Sequence, residues 1–202
     1  MAKRNTREIL VNEGVNAFLA RGYEGIGIQQ ILAAVGVPKG SFYNHFDSKE
    51  AFALEVLDAY DRRYVQFVEA YMSGTDAPLT RLRSYFAALE AEMSDAGTSA
   101  GCLYGVLSQT SAPYSELLRK RLKKAFSAWR ENLSRLLNEA QNCGQLSKNV
   151  NIASLPDAII DAYEGALLRM RAEGDIEPIR RFRLITLECL LASATDQNSG
   201  KT

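Results

Sequence analysis

A chain of 202 residues with 24 Lys and Arg against 24 Asp and Glu has no net formal charge, so affinity for nucleic acid would have to come from local clustering. This length can bury roughly 70% of the unfolded surface, and three scattered cysteines, Cys102, Cys143 and Cys189, exclude a disulfide framework or a cysteine zinc cage. No apolar run reaches the roughly 20 residues a membrane span needs and no signal peptide opens the chain, so a cytoplasmic protein without membrane, metal or cofactor is expected.

Apolar spacing is helical almost throughout, which predicts an all-α fold of about nine helices. The first helix starts near Asn5, with Glu8 as capping-box partner, and stops at Gly22 after Arg21. Its pairs Leu10/Val11, Gly14/Val15 and Phe18/Leu19 recur every four residues and form one stripe. A short second helix spans about 27–34 and ends at Gly36. A third starts at Pro38, a residue suited to a first helical turn. Asp47, with Glu50 as its partner, caps a long fourth helix that reaches about Tyr71.

Beyond the turn at 73–78 the helices lengthen. One covers about 79–93, a small-residue loop follows at 94–101, and a short helix begins near Cys102. The next covers about 115–142, with Leu118, Leu122, Phe126, Trp129, Leu133 and Leu136 on one face. Leu155, Ile159, Tyr163, Leu167 and Met170 mark another. A last helix over about 178–194 is apolar on several faces from Leu184 onward, so it should be covered by a partner surface. Residues 196–202 are expected to be a disordered tail.

Two short helices joined by a tight glycine turn are the plan of a helix-turn-helix, whose second helix enters the major groove. Ile28, Ile31, Leu32 and Val35 face inward, Gly36 turns the chain, and Val37 and Phe42 seal the pair. Lys39, Gly40, Ser41, Tyr43, Asn44 and His45 are left as the polar exterior of the third helix. Tyr43 and His45 suit phosphate oxygens, and Lys39 and Lys49 supply charge. The same pattern also occurs in helical proteins that bind no DNA.

The stretch "FLARGYEGIGIQQILAAVGVPKGSFYNHFDSKEAF", 18–52, resembles the DNA-binding domain of TetR-family transcriptional repressors. The matching residues are Gly22-Tyr23, the turn region 31–37, Lys39-Gly40-Ser41-Phe42-Tyr43, Phe46 and Ser48-Lys49-Glu50. Ile26-Gly27 depart from the family pattern, which usually has Thr followed by Ser or Thr before the second helix. The resemblance implies a homodimer, a palindromic double-stranded DNA operator and a small-molecule effector bound in the body. It puts phosphate contacts on Lys39, Tyr43, His45 and Lys49, and places Gly40 and Ser41 near the bases. Gln29 and Gln30 are added as base or phosphate readers, since glutamine can pair with adenine. The expected division is a DNA-binding head over 1–49 and an effector-binding and dimerisation body over 50–195. The head carries six cations against four acids, a net +2.

The body should hold an effector pocket, and Tyr85, Phe86, Met93, Tyr104, Leu107, Trp129 and Tyr163 are its candidates because aromatics with a few hydroxyls suit an amphipathic ligand. The same aromatics are also what a packed core would use. Cys102, in "AGCLYG" at the start of the sixth helix, is a candidate sensor because unpaired N–H groups at a helix start favour the thiolate. Some regulators of this family with a similar Gly-Cys-Leu respond to electrophiles or oxidants through cysteine, so the resemblance implies that role. A small buried hydrophobe is the alternative. The last two helices are the expected dimer interface, with Gly165-Ala166 as a small-residue patch. The basic run "RKRLKK", 119–124, reads as a solvated face.

An enzyme is not expected. The single His45 lies on the proposed recognition helix, and no GxSxG, HExxH, P-loop or dinucleotide fingerprint is present. The remaining alternatives are a helical protein–protein adaptor and a transcriptional activator with the same head.

Overall fold

The computed structural model describes residues 6–96 and 101–195, which form helices and turns with no strand among them. The cap expected at Asn5, part of the 94–101 loop and the 196–202 tail lie outside the described residues. The chain forms two compact units, Met1–Val65 with Gly101–Phe126, and Gln66–Ala100 with Ser127–Thr202. This partition is not linear in sequence, because a short later helix packs with the head.

In the first unit, α1 (Thr6–Arg21) is followed by α2 (Ile28–Ala34), a 3-10 helix (Lys39–Asn44) and α3 (Lys49–Met72), most of which belongs here. α5 (Leu103–Thr110) and the start of α6 (Glu116–Asn142) complete it. Leu10, Phe18, Ile31, Phe42, Phe52, Val56 and Leu57 are fully buried, together with Leu103, Leu107 and Leu118. Phe52 is the hub. Its ring meets Phe18 at 5.8 Å, Phe42 at 5.4 Å and Phe46 at 4.9 Å between centroids, in edge-to-face contacts. α1 approaches α3 at Gly14, where a Cβ would lie 2.5 Å from Phe52 Cζ and Val56 Cγ2.

The long helix is capped one residue later than the sequence suggests. Ser48, not Asp47, accepts the Ala51 N–H on its Oγ at 3.0 Å, and its carbonyl takes the first helical bond, from Phe52 N–H at 3.0 Å. Asp47 therefore stands outside the helix, and Glu50 accepts a hydrogen bond from the Ser115 hydroxyl of the turn before α6 instead of closing a capping box.

The second unit holds α4 (Pro78–Ala96), the later part of α6, α7 (Leu155–Glu173), α8 (Glu177–Arg181), a π-helical turn (Phe182–Thr186) and α9 (Leu187–Ala192). Phe86, Tyr163 and Phe182 form a triangle of rings at 5.1–5.5 Å, with Trp129 against Tyr163 at 5.9 Å and Tyr85 against Phe86 at 4.9 Å. Buried Arg81 donates to the Met72 carbonyl at 2.7 Å and pairs with Glu139, which compensates the charge. The final helical stretch runs without a gap over 177–192, close to the expected 178–194, but contains a π turn at 182–186. The π turn aims Phe182 inward while leaving Leu184 and Ile185 55% and 58% exposed. On α7, Ala166 is buried, so Gly165 and the 55%-exposed Leu168 make the outward patch, not a Gly-Ala pair.

Candidate nucleic-acid interface

α2 begins at Gly27, whose extended backbone (φ −90°, ψ 152°) is that of an N-cap. Glycine has no capping side chain, and Gln30 reaches back so that its Oε1 accepts the Gly27 N–H at 2.9 Å. Gln30, expected as a reader, thus has its carbonyl engaged within the protein and only its amide N–H groups directed to other work. Gln29 is exposed.

α2 ends in a Schellman turn. Gly36 at φ +67° donates to Ala33 O at 3.3 Å, and Val37 donates to Leu32 O at 3.0 Å. Nothing lies within 4 Å of a Cβ built at Gly36, so the left-handed backbone, not crowding, is what calls for glycine.

The third helix is a 3-10 helix with Pro38 as its N-cap, in place of an α-helix starting at Pro38. Ser41 donates to Pro38 O at 2.9 Å, and His45 and Phe46 both donate to Phe42 O. Phe42, completely buried, and Phe46, 4% exposed, anchor it against Phe52. The opposite side is open: Lys39, Gly40, Tyr43 and Asn44 are exposed, with Tyr43 at 67%, while Ser41 and His45 are half-buried. Buried aromatics thus hold a short rod whose outer rows carry hydroxyls, an amide and a cation. This is an arrangement for hydrogen-bonding phosphates and base edges.

Two cations behave differently from expectation. Arg7 pairs with Glu55 and lies over the Phe46 ring at 5.6 Å, so a neighbouring carboxylate offsets its charge while the side chain stays half exposed. Lys49 Nζ sits 4.5 Å above the Tyr23 ring, and burial pushes its pKa down while nearby Glu24 opposes the shift.

The residues proposed for an effector fall into two groups. Cys102, Tyr104 and Leu107 lie in the first unit, and Tyr85, Phe86, Met93, Trp129 and Tyr163 in the second. Of the latter, all but half-buried Met93 are packed in the ring core, where a ligand would have to displace aromatic contacts. Tyr104 is 1% exposed, with its hydroxyl donating to Asp61 Oδ1 at 2.5 Å. Burial, then this hydrogen bond, raises its pKa well above the ordinary tyrosine value. Arg121 donates to Asp61 Oδ2 and Asp58 Oδ1, both at 2.8 Å, which ties α6 to α3 and leaves that member of the basic run unavailable to solvent partners. Cys102 is the N-cap residue of α5 and is half-buried. A cleft of about 390 Å³ in the second unit is lined instead by Arg130, Ser134, Asn138, Gln141, Lys148 and Asn151, with residues 150 and 152–153 completing its wall. None of the residues proposed from sequence lines it.

A family model described as "Bacterial regulatory proteins, tetR family" matches residues 10–56, and one described as "Tetracyclin repressor-like, C-terminal domain" matches 78–185. The chain belongs to the TetR family. It is 36% identical over 194 residues to the HTH-type transcriptional repressor DhaR of Mycobacterium sp. strain GP1, covering 96% of each chain. The crystal structure of regulatory protein TetR from Rhodobacter sphaeroides superposes with a TM-score of 0.84 at 32% identity, covering 92% of this chain and 96% of that one. The reduced form of Escherichia coli NemR superposes with a TM-score of 0.78 at 29% identity, covering 95% of each. As a TetR-family member the chain is a regulator of transcription and not an enzyme, and its first matched segment contains the helix-turn-helix. No helix among the described residues is long and apolar enough to cross a membrane.

Proposed function

We propose that the chain is a homodimeric repressor that binds a palindromic operator through residues 27–49 and is released when a small molecule or reactive electrophile is bound in its body, residues 50–195. The observation that carries this reading is the exposed polar face of the 3-10 helix on its buried Phe42–Phe46–Phe52 base. Lys39, Tyr43, His45 and Lys49 serve phosphates. Gly40, Ser41 and Asn44 lie at the groove, with Gln29 beside them. Two copies related by a two-fold would engage half-sites about 34–36 Å apart.

The direct test is a gel shift against duplexes flanking its own gene, over a salt series. Lys39→Ala with Tyr43→Ala should weaken binding at least about tenfold and lower the salt slope by about 1.8, one lysine–phosphate contact per protomer at roughly 0.9 each. A salt-insensitive or absent shift would favour the adaptor reading. A reporter fused to the shifted promoter separates repression from activation by the sign of its response to gene deletion.

For release, Cys102 is the proposed sensor: it caps α5 and directly precedes the Leu103–Tyr104 pair that anchors that helix. The solved NemR relative is described as a reduced form, in keeping with thiol chemistry in a similar chain. N-ethylmaleimide should release operator from wild type and leave Cys102→Ser bound. Equal release would trace the response to Cys143 or Cys189, both free and exposed, and remove Cys102 as the sensor.

A further inference from the structure

α5 is two turns long and is fastened at both ends within its unit. At its start, Tyr104 donates to Asp61 of α3. At its end, Thr110 Oγ1 donates to Val106 O at 2.8 Å and accepts the Tyr23 N–H at 3.0 Å, a contact between residues 87 positions apart. The Thr110 methyl also faces this turn. Gly22, at φ +70°, presents its bare Cα to it, and a Cβ there would lie 2.7 Å from Thr110 Cγ2. The backbone of the α1–α2 turn is therefore located by one threonine, through a hydrogen bond and a steric contact together.

Tyr23 passes that placement on. Its ring meets Phe18 at 5.8 Å between centroids and carries the Lys49 ammonium 4.5 Å from its own centroid. Half-buried Lys49 opens α3 and follows the exposed rod by five residues. An ammonium held over an aromatic face has fewer positions to search than one on a free four-carbon stem, so its phosphate contact is partly organised before DNA arrives.

We infer that Thr110 is a positioning residue for DNA binding, which acts through the Tyr23 backbone and ring on the Lys49 ammonium and its phosphate contact. The inference rests on the proposed DNA-binding role of Lys49 and assigns the head a support that comes from α5. Any event that shifts the end of α5 then weakens a defined operator contact.

A double-mutant cycle on the full chain, read by operator affinity over a salt series, tests it. Lys49→Ala should lower affinity about 5- to 10-fold and the salt slope by about 1.8 for two protomers. Thr110→Val keeps the methyl shape and removes the hydroxyl, and it should lower affinity about 3- to 5-fold with a shallower slope. In the Lys49→Ala background it should add less than twofold, and Thr110→Ser should restore wild-type behaviour. Tyr23→Leu, which keeps the N–H and deletes the ring, should be equally non-additive with Lys49→Ala, so the inference stays testable if the valine variant folds poorly. Independent multiplication of the effects, or an unchanged slope in Thr110→Val, would reduce Thr110 to an ordinary packing residue and overturn the inference. Wild-type protein that shifts no duplex would overturn the DNA-binding reading itself, and the inference with it.

Discussion

Phe52→Ala should unfold or nearly unfold the DNA-binding unit, with a loss of about 3–5 kcal/mol measured by chemical denaturation. The ring is fully buried and touches Phe18, Phe42 and Phe46, so three elements lose a shared contact at once. The Gly14 approach makes repair difficult, because α1 already abuts the ring edge and collapse into the void would have to pull α1 and the 3-10 helix in opposite senses. Since typical domain stability is about 5–15 kcal/mol, a loss of this size removes much of what is available. Operator binding should disappear with the melting of the unit. Phe52→Leu, which fills part of the volume, should keep a measurable fraction of both. A variant as stable as wild type would mean that the aromatic cluster is not the foundation of the recognition helix.

The second large effect concerns assembly. Leu168, Leu184 and Ile185 are each more than half exposed, and Gly165 has open space where a Cβ would be. If the proposed dimer uses the last helices as its interface, replacing Leu184 and Ile185 together by Glu would set two charges on each face of the contact, where like charges oppose one another and lose hydration. Light scattering should then show single chains, and circular dichroism should show retained helix, because neither side chain is part of the buried core. Operator affinity should fall by about 10²–10⁴, the advantage that linking two modest binding heads provides. A dimer that survives the double change would place the interface on another surface.

Most of the head is legible in the sequence because its determinants are local. The Gly36 turn follows from a single left-handed residue, and the inward positions Ile31, Leu32 and Phe42 follow from spacing. What escapes is set by competition between neighbours or by distant contacts. Ser48 and Asp47 are both competent caps, and only the first helical bond, to the Ser48 carbonyl, decides between them. Gln30 has the chemistry of a base reader, but a glycine N-cap leaves an N–H within its reach. Arg7 counts as a head cation until Glu55 and Phe46 are found beside it. The Thr110–Tyr23 bond has no local signature, since α5 is reached only after two long helices. Aromatics at helical spacing fit a pocket wall and a packed interior equally well, and the mutual ring contacts of Tyr85, Phe86, Tyr163 and Phe182 belong to the interior. The turn of π-helix changes the register of the final helical stretch, which a 3.6-residue template cannot anticipate.

The tight winding of the segment Lys39–Asn44 has a further consequence. With three residues per turn, side chains stack in straight columns, roughly 120° apart, instead of drifting around the axis as on an α-helix. Phe42 is pinned inside and shares its column with Lys39, which stays exposed at the start of the segment, while Gly40 with Tyr43 and Ser41 with Asn44 form the two outer columns. Deleting one residue here would turn the whole set by a third of a circle and bury Tyr43 where Phe42 belongs. Substitutions within the outer columns leave that geometry alone, so this segment should tolerate changes of letter far better than changes of length.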